Sequence, residues 1–270
     1  MAWRLRGRYG YPQDRPFKVT EHVDRLYKPF TWKKPRLVFV DSMSDLFHRE
    51  VSDEFRAAVF GVMAATPQHT YQVLTKRPRL AYHFFQWVEG EVELKTAENP
   101  VRVCQEYAFR KDARLPRYHE SAWKPGSIWP LPNVWVIASC EDQEALNERT
   151  PTLLDLPAAV RGVSLEPLLD LVTVRSWLGV STAFDSITMK RYPRPPLDWV
   201  ILGCESGPKR RRFDWNWARV VRDECKDYGV PFYFKQAPHP NAREIWEIPA
   251  LDGETWEQYP RGYVRETLER

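Results

Sequence analysis

Apolar and polar positions follow one another along this chain in blocks. Leu37, Val38, Phe39 and Val40 form an unbroken apolar run, and Asp41, Ser42, Ser44, Asp45 and His48 come directly after it. A short continuous apolar run bounded by turn residues reads as a strand covered on both faces. The period then changes. In "HREVSDEFRAAVFGVMAATP", Phe55, Ala58, Val59, Val62 and Met63 fall at i, i+3, i+4, i+7 and i+8, one face of a helix. Ser52 is placed as its N-cap, Asp53 and Glu54 suit its positive end, and Pro67 marks its stop.

The unit recurs. "TYQVLTKRP" is a strand, with Pro78 placed to open the next helix. "NVWVIASCED" is another, with Asp142 capping one helix and Thr150-Pro151 opening a second helical piece. "AVRGVSLEP", "LDWVILGCESG" and "VPFYFKQ" complete the series. Between the last two, a helix from about Trp215 to Tyr228 turns Trp217, Val220, Val221 and Cys225 inward and stops at Gly229. Strands alternating with helices predict parallel βαβ crossovers, in a barrel or an open sheet. Both architectures seat ligands at the carboxyl ends of the strands. That end of each strand carries the chemistry here: Asp41, Ser42, Thr75, Lys76, Arg77, Ser139, Glu141, Ser164, Glu166, Glu205, Ser206, Lys235 and Gln236. Residues 1–270 read as one domain, with loop insertions at about 89–130 and 171–197, the first rich in Pro and charge and the second containing "RYPRPP".

Composition narrows the function classes. The 270 residues are 43% hydrophobic and 28% charged, as in an ordinary globular protein. A net charge of +4 is compatible with an anionic small molecule or nucleic acid as partner. No apolar run approaches the roughly 20 residues of a membrane span, and the N-terminus lacks the apolar core of a secretory signal. Cys104, Cys140, Cys204 and Cys225 show no CxxC spacing, so neither a disulfide framework nor a zinc knuckle is indicated. The cytoplasm is the expected compartment.

Several readings stand side by side at the strand ends. Asp41 is read as a site residue, Asp45 as the cap of a turn and His48 as solvated. Thr75-Lys76-Arg77 either binds an anion, Arg77 through a forked contact, or pairs with Glu141, Glu166 or Glu205. Glu166 and Glu205 are expected in ion pairs ahead of acid–base work, with Gly203 and Gly207 letting backbone approach a ligand near Glu205. Lys235 is expected in an ion pair, Lys209 to Arg212 as a solvated basic face, and Cys140 and Cys204 as small buried residues.

The blocks "FVDSMSDLFHREVSDEF", "VMAATPQHTYQVLTKRP", "LPNVWVIASCEDQ", "VRGVSLEPLL", "DWVILGCESGPKRR", "GVPFYFKQ" and "LDGETW" resemble, in order, those of the phage gene-product-37/68 family. This is a domain-of-unknown-function group of phages and bacteria, similar to a branch of the radical S-adenosylmethionine (SAM) enzymes. The resemblance spans about 36 to 258 outside the two insertions. It implies a partial TIM-like barrel of the radical-SAM type, with a [4Fe–4S] cluster and SAM in full-length members. Their three-cysteine motif, ending in Cys-Tyr-Ala, lies upstream of a segment that "MAWRLRG" resembles. The expectation is therefore a chain lacking the iron–sulfur motif, holding no cofactor itself and less stable than a longer form. The readings that follow are a radical-SAM-like protein of undefined substrate, an accessory or anionic-ligand or nucleic-acid-binding barrel, and a cluster-independent hydrolase using Glu166 and Glu205.

Overall fold

The computed structural model describes residues 7, 13–15, 18–41, 43–97, 99–116, 129–185, 190–207, 209–239, 245–260 and 262–263. The chain runs β1 (Leu37–Val40), α1 (Asp53–Ala65), β2 (Thr70–Thr75), α2 (Pro78–Leu94), α3 (Pro100–Lys111), β3 (Val134–Ser139), α4 (Gln143–Leu154) and β4 (Val160–Leu165). There follow the one-turn α5 (Arg175–Leu178), the hairpin β5 (Ser181–Asp185) and β6 (Lys190–Arg194), β7 (Trp199–Gly203), α6 (Trp215–Tyr228), β8 (Phe232–Pro238) and β9 (Ile245–Glu247). The main sheet has the order β1-β2-β3-β4-β7-β8-β9. Its first six strands pair in parallel, and β9 adds an antiparallel edge. The result is a mixed α/β fold around a curled, mostly parallel half-barrel.

Local chemistry sets the helix ends as the sequence implies. The Ser52 hydroxyl accepts from the Phe55 N–H at 3.2 Å, the Asp142 carboxylate accepts from the Ala145 N–H at 2.8 Å, and Pro78 opens α2. Gly229 closes α6 at φ 65°, a left-handed conformation that favours glycine.

Strand alternation divides the sheet into two faces. Val136, Val163, Val200, Leu202, Phe232 and Phe234 join the main core beneath the helices. Leu37, Leu74, Trp135, Ile137, Trp199, Ile201 and Tyr233 line the concave face. Tyr259 and Tyr263 close its lower end: Tyr263 lies 5.0 Å from Trp135 between ring centroids, and Tyr259 5.5 Å from Tyr233. The Trp199 indole donates to the Gln258 carbonyl at 2.8 Å. With the amino-terminal end plugged by aromatic rings, the open end is the carboxyl-terminal rim.

Four expectations change. The 89–130 region is not a loop at its start: it holds the end of α2 and all of α3, capped by Asn99, whose side chain accepts from the Arg102 N–H at 3.0 Å. α3 packs on α1 so closely that a Cβ on Gly61 would sit 2.3 Å from the Cys104 carbonyl oxygen. α1 also buries Arg56, Ala57, Phe60 and Ala64 besides the predicted stripe, Phe60 against the rings of Phe47, Phe84 and Phe85, while Phe55 and Val59 are half-buried. The second insertion likewise contains α5 and the β5–β6 hairpin. Thr150-Pro151 lies within a single helix, α4. On α6, Val220 is exposed, and Ala218 and Glu224 are buried in the packed face. Glu224 is buried because it has partners: its carboxylate accepts from the Thr173 hydroxyl at 2.6 Å and the Val174 N–H at 2.7 Å.

Candidate functional site

The parallel strands bring their polar ends to one rim. Within that rim the two acids of the first loop behave oppositely. Asp45 is the hub. One carboxylate oxygen accepts from the Thr75 hydroxyl at 2.9 Å and the Phe47 N–H at 3.0 Å. The other accepts from Arg77 Nη1 at 2.6 Å and the Lys76 N–H at 3.1 Å. The Thr75 hydroxyl in turn accepts from the Arg77 N–H at 2.9 Å. A charged acceptor with that many donors locks the end of β1 to the end of β2.

Asp41 has no such cage. It follows β1 directly at φ 60°, in the left-handed region that Asp enters more readily than most residues. Burial pushes its carboxyl above the usual range, and the repulsion of Asp45 adds to this against a hydrogen bond from Ser44 and the attraction of His22. A desolvated acid lining a cleft is a feature that clusters at functional sites. Ser42 lies outside the described residues. His48 is half-buried rather than solvated: its Nδ1 accepts from the Glu50 N–H at 3.2 Å. The buried Arg56 fixes this loop from α1, donating to the carbonyls of Leu46 at 3.2 Å and His48 at 2.7 Å and pairing with Asp53.

Asp41 opens on a cleft of about 890 Å³ beside β1. Val38, Leu46, Val62 and Met63 supply apolar wall, Lys76, Arg77 and Ser139 stand at its polar end, and residues 18–29 contribute the opposite side. β1 is the outermost strand of the sheet, and Phe39 on its concave face is 42% exposed.

Glu141, at the end of β3, accepts from Arg149 at 2.8 Å and from Lys76 at 3.3 Å. Burial alone would raise its pKa; the Arg149 and Lys76 cations outweigh this and hold it below the usual carboxylate range. Arg149 was not foreseen: it sits inside α4 and also donates to the Ser139 carbonyl at 2.6 Å. Glu141 lies ahead of the Asp142 cap that opens α4, so the pair is made across the strand-to-helix turn and not along the helix. Ser139 and Ser164 are buried at the ends of β3 and β4.

The far side of the rim is simpler. Lys235 grips both oxygens of Glu166, at 3.0 and 2.8 Å. A bulge between β7 and β8 leaves Lys235 unpaired in the ladder and re-aims it. Gly203 gives Glu166 its place, since a Cβ there would meet the Glu166 side chain at 3.2 Å. Glu205 takes the Arg211 guanidinium at 2.8 and 3.1 Å and its N–H at 2.9 Å, and these bonds lower its pKa. Gln236 donates to the Cys204 carbonyl at 2.8 Å, and Ser206 is exposed.

The cysteines do not fit a [4Fe–4S] cluster, which needs thiolates converging on iron. Cys104 on α3, Cys140 after β3, Cys204 after β7 and Cys225 on α6 are free and buried. Burial pushes the thiols of Cys104 and Cys140 up to about 12. Among the described residues no three His, Cys, Asp or Glu side chains group to hold a metal ion, and no helix is long and apolar enough to cross a membrane.

No curated protein and no solved structure matches the chain. A family model does, over residues 1–260, and its description is "Protein of unknown function (DUF5131)". The chain belongs to that family.

Proposed function

We propose that the chain is a ligand-binding half-barrel of the radical-SAM type that seats an anionic small molecule in the cleft beside β1. The observation that carries this reading is that Asp41, Lys76 and Arg77 all line one largely apolar cleft. Arg77 commits a single guanidinium nitrogen to Asp45, which leaves the rest of its fork for a carboxylate or phosphate. Asp41 offers an acceptor to an amine or amide of the same ligand. The apolar wall between β1 and α1 suits an uncharged body joining the two groups.

The radical-SAM element of the reading is supported by the sequential order of six parallel strands and by the motif blocks that resemble such enzymes. Cluster chemistry gains no support from the described cysteines, so the reading for this chain is binding. A hydrolase built on Glu166 and Glu205 is disfavoured, because each acid has both oxygens engaged by a cation.

Isothermal titration calorimetry of the chain with SAM and, separately, with adenosine monophosphate tests the proposal. Binding of either probe that weakens about tenfold or more in both Asp41→Asn and Arg77→Ala is the expected result, one lost charge-assisted contact being worth that much. Heat from neither probe, or affinity indifferent to both substitutions, overturns it.

A further inference from the structure

The rim is acidic within and cationic without. In its outward pairs the carboxylate is the more enclosed member, as with Asp45 at 11% exposure beneath Arg77 at 40%, and Glu205 at 30% beneath Arg211 at 59%. Arg149 is the exception, sitting beneath Glu141 as a buried anchor, and there Lys76 is the outward cation. A field set by the outermost charges is therefore positive at the mouth, whatever the pairwise balance beneath.

Three further cations stand at the same end of the sheet. Arg79, in the first turn of α2, and Lys209 and Arg212, in the loop after β7, are exposed and make no hydrogen bond or ion pair among the described residues. Their loops are held in place. Arg77 is tied to Asp45, and Arg211 is tied to Glu205 by backbone and side chain together, which folds the 209–212 loop onto the end of β7. Arg211 also lies near enough to Glu141 to feel its charge, and Glu141 is itself bonded to Lys76. The two basic groups thus stand on one rim, each within electrostatic reach of Glu141. Phe39 presents a half-exposed ring on the concave face of the same edge.

We propose that this mouth binds the phosphate groups of a nucleotide or of a single nucleic-acid strand, held between the Lys76–Arg79 segment and the Lys209–Arg212 loop. The cations neutralise phosphates, and Phe39 offers a face on which a base can stack. The inference shares Lys76 and Arg77 with the cleft, and its test alters only Arg79, Lys209 and Arg212, which lie outside the cleft lining.

Fluorescence anisotropy of a labelled single-stranded oligonucleotide, titrated with the full chain at several salt concentrations, tests it. The variant is Arg79→Ala/Lys209→Ala/Arg212→Ala, which alters only exposed, unpaired side chains; its circular dichroism should match the parent. Expected for a strand is binding that weakens with salt, with the log–log slope falling by roughly 0.7 per cation removed. Tripolyphosphate or adenosine triphosphate binding that is lost in the variant, without oligonucleotide binding, identifies a free nucleotide as the source. Binding of none of these probes, or a variant with unchanged affinity and salt slope, overturns the proposal.

Discussion

The two sides of the rim are built on different physics. At β1–β3, Asp45 bonds two backbone N–H groups, a hydroxyl and a guanidinium, and Glu141 bridges Lys76 and Arg149. At β7–β8, each acid meets one long, half-exposed cation, Glu166 through Lys235 and Glu205 through Arg211, whose backbone N–H adds a bond. Partners that include backbone fix geometry, whereas exposed ion pairs contribute little and rearrange readily. The networked side also carries Asp41, whose desolvation must be held by its surroundings. The larger hydrogen-bond network and the desolvated acid occur together.

The contrast can be broken at its frame. Gly61→Ala forces α1 away from the Cys104 carbonyl and should cost about 3 kcal/mol in urea denaturation, the upper part of the range for overpacking. Asp45→Ala should follow at about 3 kcal/mol, since it strands the Thr75, Lys76 and Phe47 donors together with Arg77. Glu141→Gln should cost about 2 kcal/mol by leaving the enclosed Arg149 without its counter-charge. That loss depends on pH. The Glu141 pKa is lowered in the fold, so its stabilisation is present above the ordinary glutamate value and disappears as pH falls through the lowered one. Lys235→Ala on the other side should change stability by about 0.5 kcal/mol or less.

Asp41→Asn sharpens the comparison with the opposite sign. Asparagine tolerates the left-handed backbone and carries no charge to desolvate. The Asp41 pKa is raised, so its favourable contribution exists below the ordinary aspartate value and is lost as pH rises through the raised one. At neutral pH the variant should therefore melt higher than the parent, and the gap should close on acidification. A lower melting temperature at neutral pH would refute the desolvated state of Asp41.

Much of this was legible from pattern alone. The six parallel strands are the six apolar runs, because strands covered on both faces cannot hide their composition. α3 was missed because its surroundings read as charged and Pro-rich, although Val101, Cys104 and Ala108 carry a helical spacing within it. In the site, the pairing of Lys235 with Glu166 could be anticipated only in kind. The choice of partner depends on a ladder bulge and a missing Cβ at Gly203. The Asp45 hub joins residues some thirty positions apart, a relation set by strand register and absent from any local motif.

The backbone contact at Gly61 also decides how the cleft can change width. Phe55, Val59, Val62 and Met63 belong to a helix braced from behind by α3, so that wall is an anvil. The opposing residues 18–29 lean on the same helix: Leu26 is buried with Ala58, Val62, Ala108 and Leu115, and Glu21 accepts from the Ser52 N–H at 2.7 Å. Both jaws of the cleft are therefore referred to one braced helix, which sets the width an occupant meets.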